Sequence, residues 1–190
     1  MKIKAIASIC RKVKGICLYH EEDKDRSWVG DGYAAYILPD SLSDCTLGSL
    51  EAIFDIPPEK AETYSMSEKE FPAGIGTADD AEEVELYYDT DYRLMHEGVD
   101  MLPLRAPDGS TYLIKTRYLS PINDAEVLRL SLRHTDAGRP YIAAKDGLFL
   151  TGVIMPIGIR GDMRNWIQRL GAGIDQAEAK EIMGGEDDDS

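Results

Sequence analysis

Trp28-Val29-Gly30-Asp31-Gly32-Tyr33-Ala34-Ala35-Tyr36-Ile37-Leu38-Pro39 is the stretch around which the rest of the chain can be read. Two apolar runs flank Asp31-Gly32. Both residues tolerate the positive φ of a tight β-turn, so the stretch reads as a hairpin. Upstream, Cys17-Leu18-Tyr19-His20 supplies a further strand, joined through the charged tip Glu21-Glu22-Asp23-Lys24-Asp25. The same order returns near the other end. Leu130-Ser131-Leu132-Arg133-His134 leads through a polar tip to Tyr141-Ile142-Ala143-Ala144-Lys145, then Asp146-Gly147, then Leu148-Phe149-Leu150 and on through Val153-Ile154-Met155-Pro156. His20 precedes Asp31 by 11 residues, and His134 precedes Asp146 by 12. Each copy closes on proline and follows a helix-like segment. The chain therefore reads as α+β, built from two αβββ halves with antiparallel sheets. Two accounts of the pattern stay open: an internal duplication, or two ordinary meanders. Duplicated units of this kind build ring-forming or pseudo-symmetric binding proteins more often than enzymes.

At 190 residues the chain is long enough for one domain, or two small ones, with a proper core. Hydrophobic content is 43% and charged content 29%, ordinary for a globular protein. No apolar run approaches the ~18 residues of a membrane span. Lysines interrupt Met1-Lys2-Ile3-Lys4-Ala5-Ile6, so a signal peptide is not expected. The odd set Cys10, Cys17 and Cys45 reads as reduced thiols in a cytoplasmic protein, without metal-site spacing.

The net charge of −14 is unevenly distributed. Residues 1–14 carry Lys2, Lys4, Arg11, Lys12 and Lys14 and no acid. Residues 15–110 carry 23 acids against 6 bases, and residues 111–170 carry 9 bases against 5 acids. The last twenty residues are acidic again. A uniformly acidic protein repels nucleic acid, whereas one whose cations gather on helical segments can present a local basic face. The competing explanation is that Lys and Arg favour helices in any case.

Ile3, Ile6, Ile9 and Val13 recur at helical spacing, with Gly15 as the expected C-cap. Asp44 or Thr46 caps a short helix through Leu47, Leu50, Ile53 and Phe54, stopped by Pro57-Pro58. Residues 57–82 read as a long polar loop with one helical turn, or as an inserted element. Val84, Leu86 and Tyr88 alternate like a half-buried strand. Residues 99–106 and 110–114 flank a Pro107-Asp108-Gly109 turn. A short helix is expected over residues 114–122, limited by Pro121. Leu128, Leu130 and Leu132 alternate with Arg129, Ser131 and Arg133, which predicts one buried face and one basic face. These leucines, with Ile37 and Ile154, are the expected core. Residues 162–170 fit an amphipathic helix.

Catalytic patterns are sparse. Gly74-Ile75-Gly76 lacks the lysine and helix of a phosphate loop, and no H-E-x-x-H, G-x-S-x-G or C-x-x-C occurs. Asp89-Thr90-Asp91 places two carboxylates on one strand face, as a metal site would, but a strongly acidic strand produces this by chance. Arg160-Gly161-Asp162 matches an adhesion tripeptide of chance length. His20 and His134 read as strand-end histidines beside solvent.

Tyr112-Leu113-Ile114-Lys115-Thr116-Arg117-Tyr118-Leu119, the alternating Val127-Leu128-Arg129-Leu130-Ser131-Leu132, Pro140-Tyr141-Ile142 and Gly152-Val153-Ile154-Met155-Pro156-Ile157 together carry a likeness. They resemble the last domain of the bacterial sliding clamp, the DNA polymerase III beta subunit. Trp28-Val29-Gly30-Asp31-Gly32-Tyr33-Ala34 is similar to that family's Ala-Thr-Asp-Gly-His-Arg-Leu strand and turn, with Gly for Thr and no Arg. The likeness covers residues 1–40 and 111–158, and the segment 40–110 does not align. It implies a clamp-like domain over 1–158 with a divergent middle segment; apolar spacing and composition add C-terminal helices at 159–183 and a disordered acidic tail at 184–190. It further implies a non-enzymatic, replication-associated protein, with the small size pointing to a phage or prophage. Helices would face duplex DNA through Lys2, Lys4, Arg11, Lys12, Lys14, Lys115 and Arg117. Met155, Pro156 and Ile157 would border a groove for peptide motifs of replication proteins. A full clamp has six such domains, so a homo-oligomer is expected. Neither cofactor, metal nor membrane enters this reading. Two alternatives remain: a small enzyme around Asp89, Asp91 and His96, or a structural or regulatory prophage protein that does not contact DNA.

Overall fold

The computed structural model describes residues 2–89 and 92–158. The expected helices of 159–183, with the 162–170 segment and Arg160-Gly161-Asp162, lie outside the described residues, as does the acidic tail at 184–190.

The chain opens with α1 (Ile3–Val13), which buries Ile6, Ala7, Ile9 and Cys10 on one stripe. It ends one residue earlier than the glycine suggested. Lys14, not Gly15, takes the left-handed conformation (φ 52°) and returns its N–H to the helix carbonyls, while Gly15 already begins β1 (Gly15–Glu21). β2 (Arg26–Gly30) and β3 (Ala34–Ile37) complete the first meander across the Asp31-Gly32 turn. α2 (Leu47–Ile53) is capped by Thr46, whose hydroxyl accepts the Ser49 N–H. Pro58 starts the single turn α3 (Pro58–Ala61).

β4 (Ser65–Glu70) was not legible in the sequence, and it lies parallel to β1. β5 (Val84–Glu85) is shorter than the expected strand. β6 (Leu94–His96), β7 (Val99–Arg105) and β8 (Thr111–Lys115) form a separate antiparallel sheet. Its β7–β8 turn is the expected Pro107-Asp108-Gly109, with Gly109 at φ 82° and the Ser110 N–H donated to Asp108. A four-residue 3-10 turn, Thr116–Leu119, stands where a helix was expected before the second meander. Pro121 has no N–H to continue the ladder, and the turn stops there although Ser120 itself keeps helical angles (φ −58°, ψ −33°). β9 (Leu128–His134), β10 (Pro140–Asp146) and β11 (Phe149–Ile154) follow.

The main sheet runs β4-β1-β2-β3-β11-β10-β9-β5. The two meanders meet where β3 pairs antiparallel with β11, Tyr36 opposite Gly152 and Ala34 opposite Ile154. Every pairing in this sheet is antiparallel except β4 with β1, so the expected purely antiparallel sheets are corrected at that edge. The molecule is α+β, with few helices and large sheets.

Side chains alternate across the sheet, and both faces are covered. On one face Leu18, Tyr36, Leu130, Ile142 and Ile154 join α1 and the inner residues Leu102, Leu104 and Ile114 of the smaller sheet. Leu130, Leu132 and Ile154 are buried as expected, while Leu128 and Ile37 are only half-buried. On the other face Trp28, Tyr141, Leu150 and Val153 form a second cluster. Residues 71–83 run across it as a strap, with Phe71 stacked on Trp28 at 4.5 Å between ring centroids.

The strap corrects the reading of β9. Arg133 does not face solvent on a basic side; it is 2% exposed. Its guanidinium donates to the carbonyls of Gly76 (3.2 Å) and Ala78 (2.8 Å) and to the Glu83 carboxylate (2.6 and 2.8 Å). Lys145, also buried, donates to the Asp79 carbonyl and to Glu83. Buried cations need such partners, and the strap supplies them.

Candidate functional site

Helix α1 turns one stripe inward and a different one to solvent. Its first turn carries no acid, and Arg11 and Lys12 occupy its last turn, where the helix dipole favours cations. Lys4, Ser8, Arg11 and Lys12 are all exposed. At 3.6 residues per turn they fall within an arc of about 100°. This is the outward face of the layer that covers the main sheet on the side away from the strap.

The expected cations divide by surroundings. Lys2 is exposed and bonds Asn123, while its N–H reaches the Pro121 carbonyl, which pins the start of α1 to the segment before β9. Lys4 projects from the helix. Arg11 has a structural task as well, donating from Nη1 to the Phe54 carbonyl at the end of α2 (3.1 Å). Lys14 sits at the left-handed end of α1. Lys12, Lys115 and Arg117 come together, although 103 and 105 residues separate Lys12 from the other two in sequence.

These three line a groove of about 660 Å³ between α1 and the β7–β8 sheet. Lys115 Nζ stands 5.0 Å from the Tyr33 ring centre and 5.6 Å from that of Tyr118. Arg117 lies over Tyr118 at 5.3 Å, with Nη2 3.8 Å from Asp31. Asp31 is fully buried at the first Asp-Gly turn, where Oδ1 accepts the N–H groups of Tyr33 and Ala34 and Oδ2 accepts the Tyr118 hydroxyl (2.9 Å). Burial, followed by the Asp31 charge, raises the Tyr118 hydroxyl above the ordinary tyrosine range and keeps it a donor. Burial and then the Arg117 charge lower Lys115 below the ordinary lysine range; Lys12 adds to this, and Asp31 opposes it.

Among the described residues Met155 and Ile157 meet different neighbours. Met155 donates its N–H to the Tyr33 carbonyl and lines a small apolar cleft of about 180 Å³ with Phe71, Pro72 and Ile75 of the strap. Ile157 donates to the Leu113 carbonyl and packs instead against Met101 and Leu113. Pro156 is the half-buried link between the two layers.

For the alternative enzymatic site, Asp89 is exposed, Asp91 lies outside the described residues, and His96 is placed only by its backbone pairing with Val99. Among the described residues no three His, Cys, Asp or Glu side chains stand close enough to hold a metal ion. No helix among them is long and apolar enough to cross a membrane. His20 bonds Ser27 (3.1 Å) and Glu68 (3.0 Å), and His134 is exposed at its strand end. Cys10 and Cys45 are buried and Cys17 half-buried, all as free thiols. Burial, then Asp31 and Cys17, pushes Cys10 up to about 12, which leaves it a poor nucleophile.

The sequence missed three parts of this arrangement. Asn123 and Asp31 carry no motif for the groove, and the Asp-Gly pair marks Asp31 only as a turn residue. The strap lacked the periodicity that marks a packed element. Comparison with protein-family models, with curated proteins and with solved structures finds no match to this chain.

Proposed function

We propose that the chain is a non-enzymatic binding module of the sliding-clamp type, whose helical layer meets duplex DNA. The observation that carries this reading is the acid-free outer face of α1, which runs into the groove holding Lys12, Lys115 and Arg117. Spaced cations on a helix face suit phosphates, which are fixed in position but carry no sequence information. The rest of the acidic surface steers DNA away from other approaches, and salt screens that repulsion beyond about 8 Å at physiological ionic strength.

The meeting of two three-stranded meanders at β3 and β11 is compatible with the two-half organisation of a clamp domain. On this reading the two units are equivalent halves, the second with its helix reduced to the Thr116–Leu119 turn. Duplex binding would need several copies to encircle DNA, so the module acts as an oligomer. The cleft at Met155 remains the candidate seat for a peptide of a replication partner, without Ile157.

Titration of a short duplex at a series of salt concentrations tests this. Binding without sequence preference, with log affinity falling linearly in log salt, is the expected result. Salt-independent binding, or none at low salt from the folded protein, would count against it.

A further inference from the structure

We propose that the groove between α1 and the β7–β8 sheet is a binding site for a small phosphomonoester with an aromatic or apolar body, of which a mononucleotide is the simplest example. This goes beyond duplex binding and does not depend on it.

The first ground is uncompensated charge. Four cations line the groove: Lys12, Arg93, Lys115 and Arg117. One acid, Asp100, lines it too, and it pairs with Arg93 at 3.3 Å. Among the described residues Lys12 makes no hydrogen bond or ion pair, and Lys115 meets only ring faces. Asp31 lies beneath, 3.8 Å from Arg117, already engaged by two backbone N–H groups and the Tyr118 hydroxyl. Four cations faced by two acids leave an excess of positive charge, which favours an anionic ligand.

The second ground is independent. Thr116 Oγ1 and Arg117 Nε are buried without a partner, and both residues line the groove. Buried polar atoms are nearly always satisfied, and both are closed to solvent in this arrangement, so a ligand would supply their bonds only once the Thr116 and Arg117 side chains turn toward the groove. Ser120 and Asn123, the latter bonded to Lys2, also line the groove.

The third ground concerns the rest of the ligand. Leu102, Leu119, Leu128 and the Tyr88 ring make the remaining wall apolar. At about 660 Å³ the groove falls in the range of small-molecule sites, and it is far larger than a phosphate ion requires. A groove lined by both cations and apolar side chains selects a ligand with both characters.

Isothermal titration of the full chain with AMP, adenosine and inorganic phosphate tests the site. AMP should bind, with phosphate and adenosine each weaker by about tenfold or more, because each lacks one half of the recognition. Lys115→Ala and Lys12→Ala, both checked for an unchanged melting temperature, should each weaken AMP by about tenfold. Lys4→Glu, outside the groove, should leave AMP affinity unchanged while lowering duplex affinity. Phosphate binding as tightly as AMP would overturn the role of the apolar wall. AMP failing to bind while duplex binding persists would overturn this site alone, and the reverse would overturn the duplex reading alone.

Discussion

The Tyr118 hydroxyl donates to Asp31 Oδ2 at 2.9 Å, joining the turn that precedes the second meander to the Asp-Gly turn inside the first. A second bond reinforces the join, from the Tyr36 hydroxyl to the Tyr118 carbonyl at 2.6 Å. Through these contacts the first meander fixes where Lys115 and Arg117 stand relative to Lys12. Tyr118→Phe leaves one lone pair of a buried carboxylate without its donor. The expected loss is about 1–3 kcal/mol of unfolding free energy. Chemical denaturation measures it, and a loss below a few tenths would mean that water replaces the hydroxyl.

Gly152 faces Tyr36 across the β3–β11 seam. A Cβ at Gly152 would stand 2.9 Å from the Tyr36 ring and 3.3 Å from the Ala35 carbonyl. The ring cannot easily retreat, because its hydroxyl is tied to Tyr118. Gly152→Ala should therefore destabilise by about 1–3 kcal/mol, as overpacking does. Combined with Tyr36→Leu, the cost should fall short of the sum of the two single changes. Strict additivity would show that the seam is looser than described.

Glu83 binds two buried cations, and its titration should be visible in stability. Burial alone would raise its carboxyl, but hydrogen bonds from Arg133 and Lys145 outweigh burial and hold it below the ordinary glutamate range. The unfolded chain therefore takes up the proton first as pH falls. The stabilisation is complete above the ordinary glutamate range and is lost as pH drops through the lower folded value. Glu83→Gln should melt lower than the parent at neutral pH, with the gap narrowing in acid. A gap that stays constant to low pH would contradict the pairing.

Leu130 and Leu128 alternate on one strand but differ in depth, buried and half-buried. Leu130→Ala should cost about 2–5 kcal/mol, and Leu128→Ala clearly less. Equal losses in thermal denaturation would place Leu128 in the core after all.

The meanders were legible because their turns carry Asp-Gly and their strands carry unbroken apolar runs. The pairing of Tyr36 with Gly152 was not legible, since no local pattern says that β3 adjoins β11. The polar Ser65-Met66-Ser67-Glu68-Lys69-Glu70 concealed β4, because an edge strand half in solvent needs no apolar alternation and charge protects it from further pairing. Arg133 misled for a physical reason. A charged residue at an alternating position normally faces water, and only the strap, distant in sequence, makes its burial tolerable. Of the candidate site, the cations of α1 were visible as an acid-free helix. Their meeting with Lys115 and Arg117 was supported only by likeness, and Asp31, which positions Arg117, passed as a turn residue.

Duplex binding by the helical face is tested most directly by charge reversal. Lys4→Glu/Lys12→Glu leaves Arg11 in place, because Arg11 also caps α2, and neither altered residue makes a hydrogen bond or ion pair among the described residues. Arg139→Glu, on the exposed β9–β10 turn beside the strap, serves as the control. At low salt the parent and the control should retain duplex DNA equally. The double variant, with an unchanged melting temperature, should lose retention by at least about tenfold and show a shallower salt dependence. Equal retention by the double variant and the parent would contradict the account.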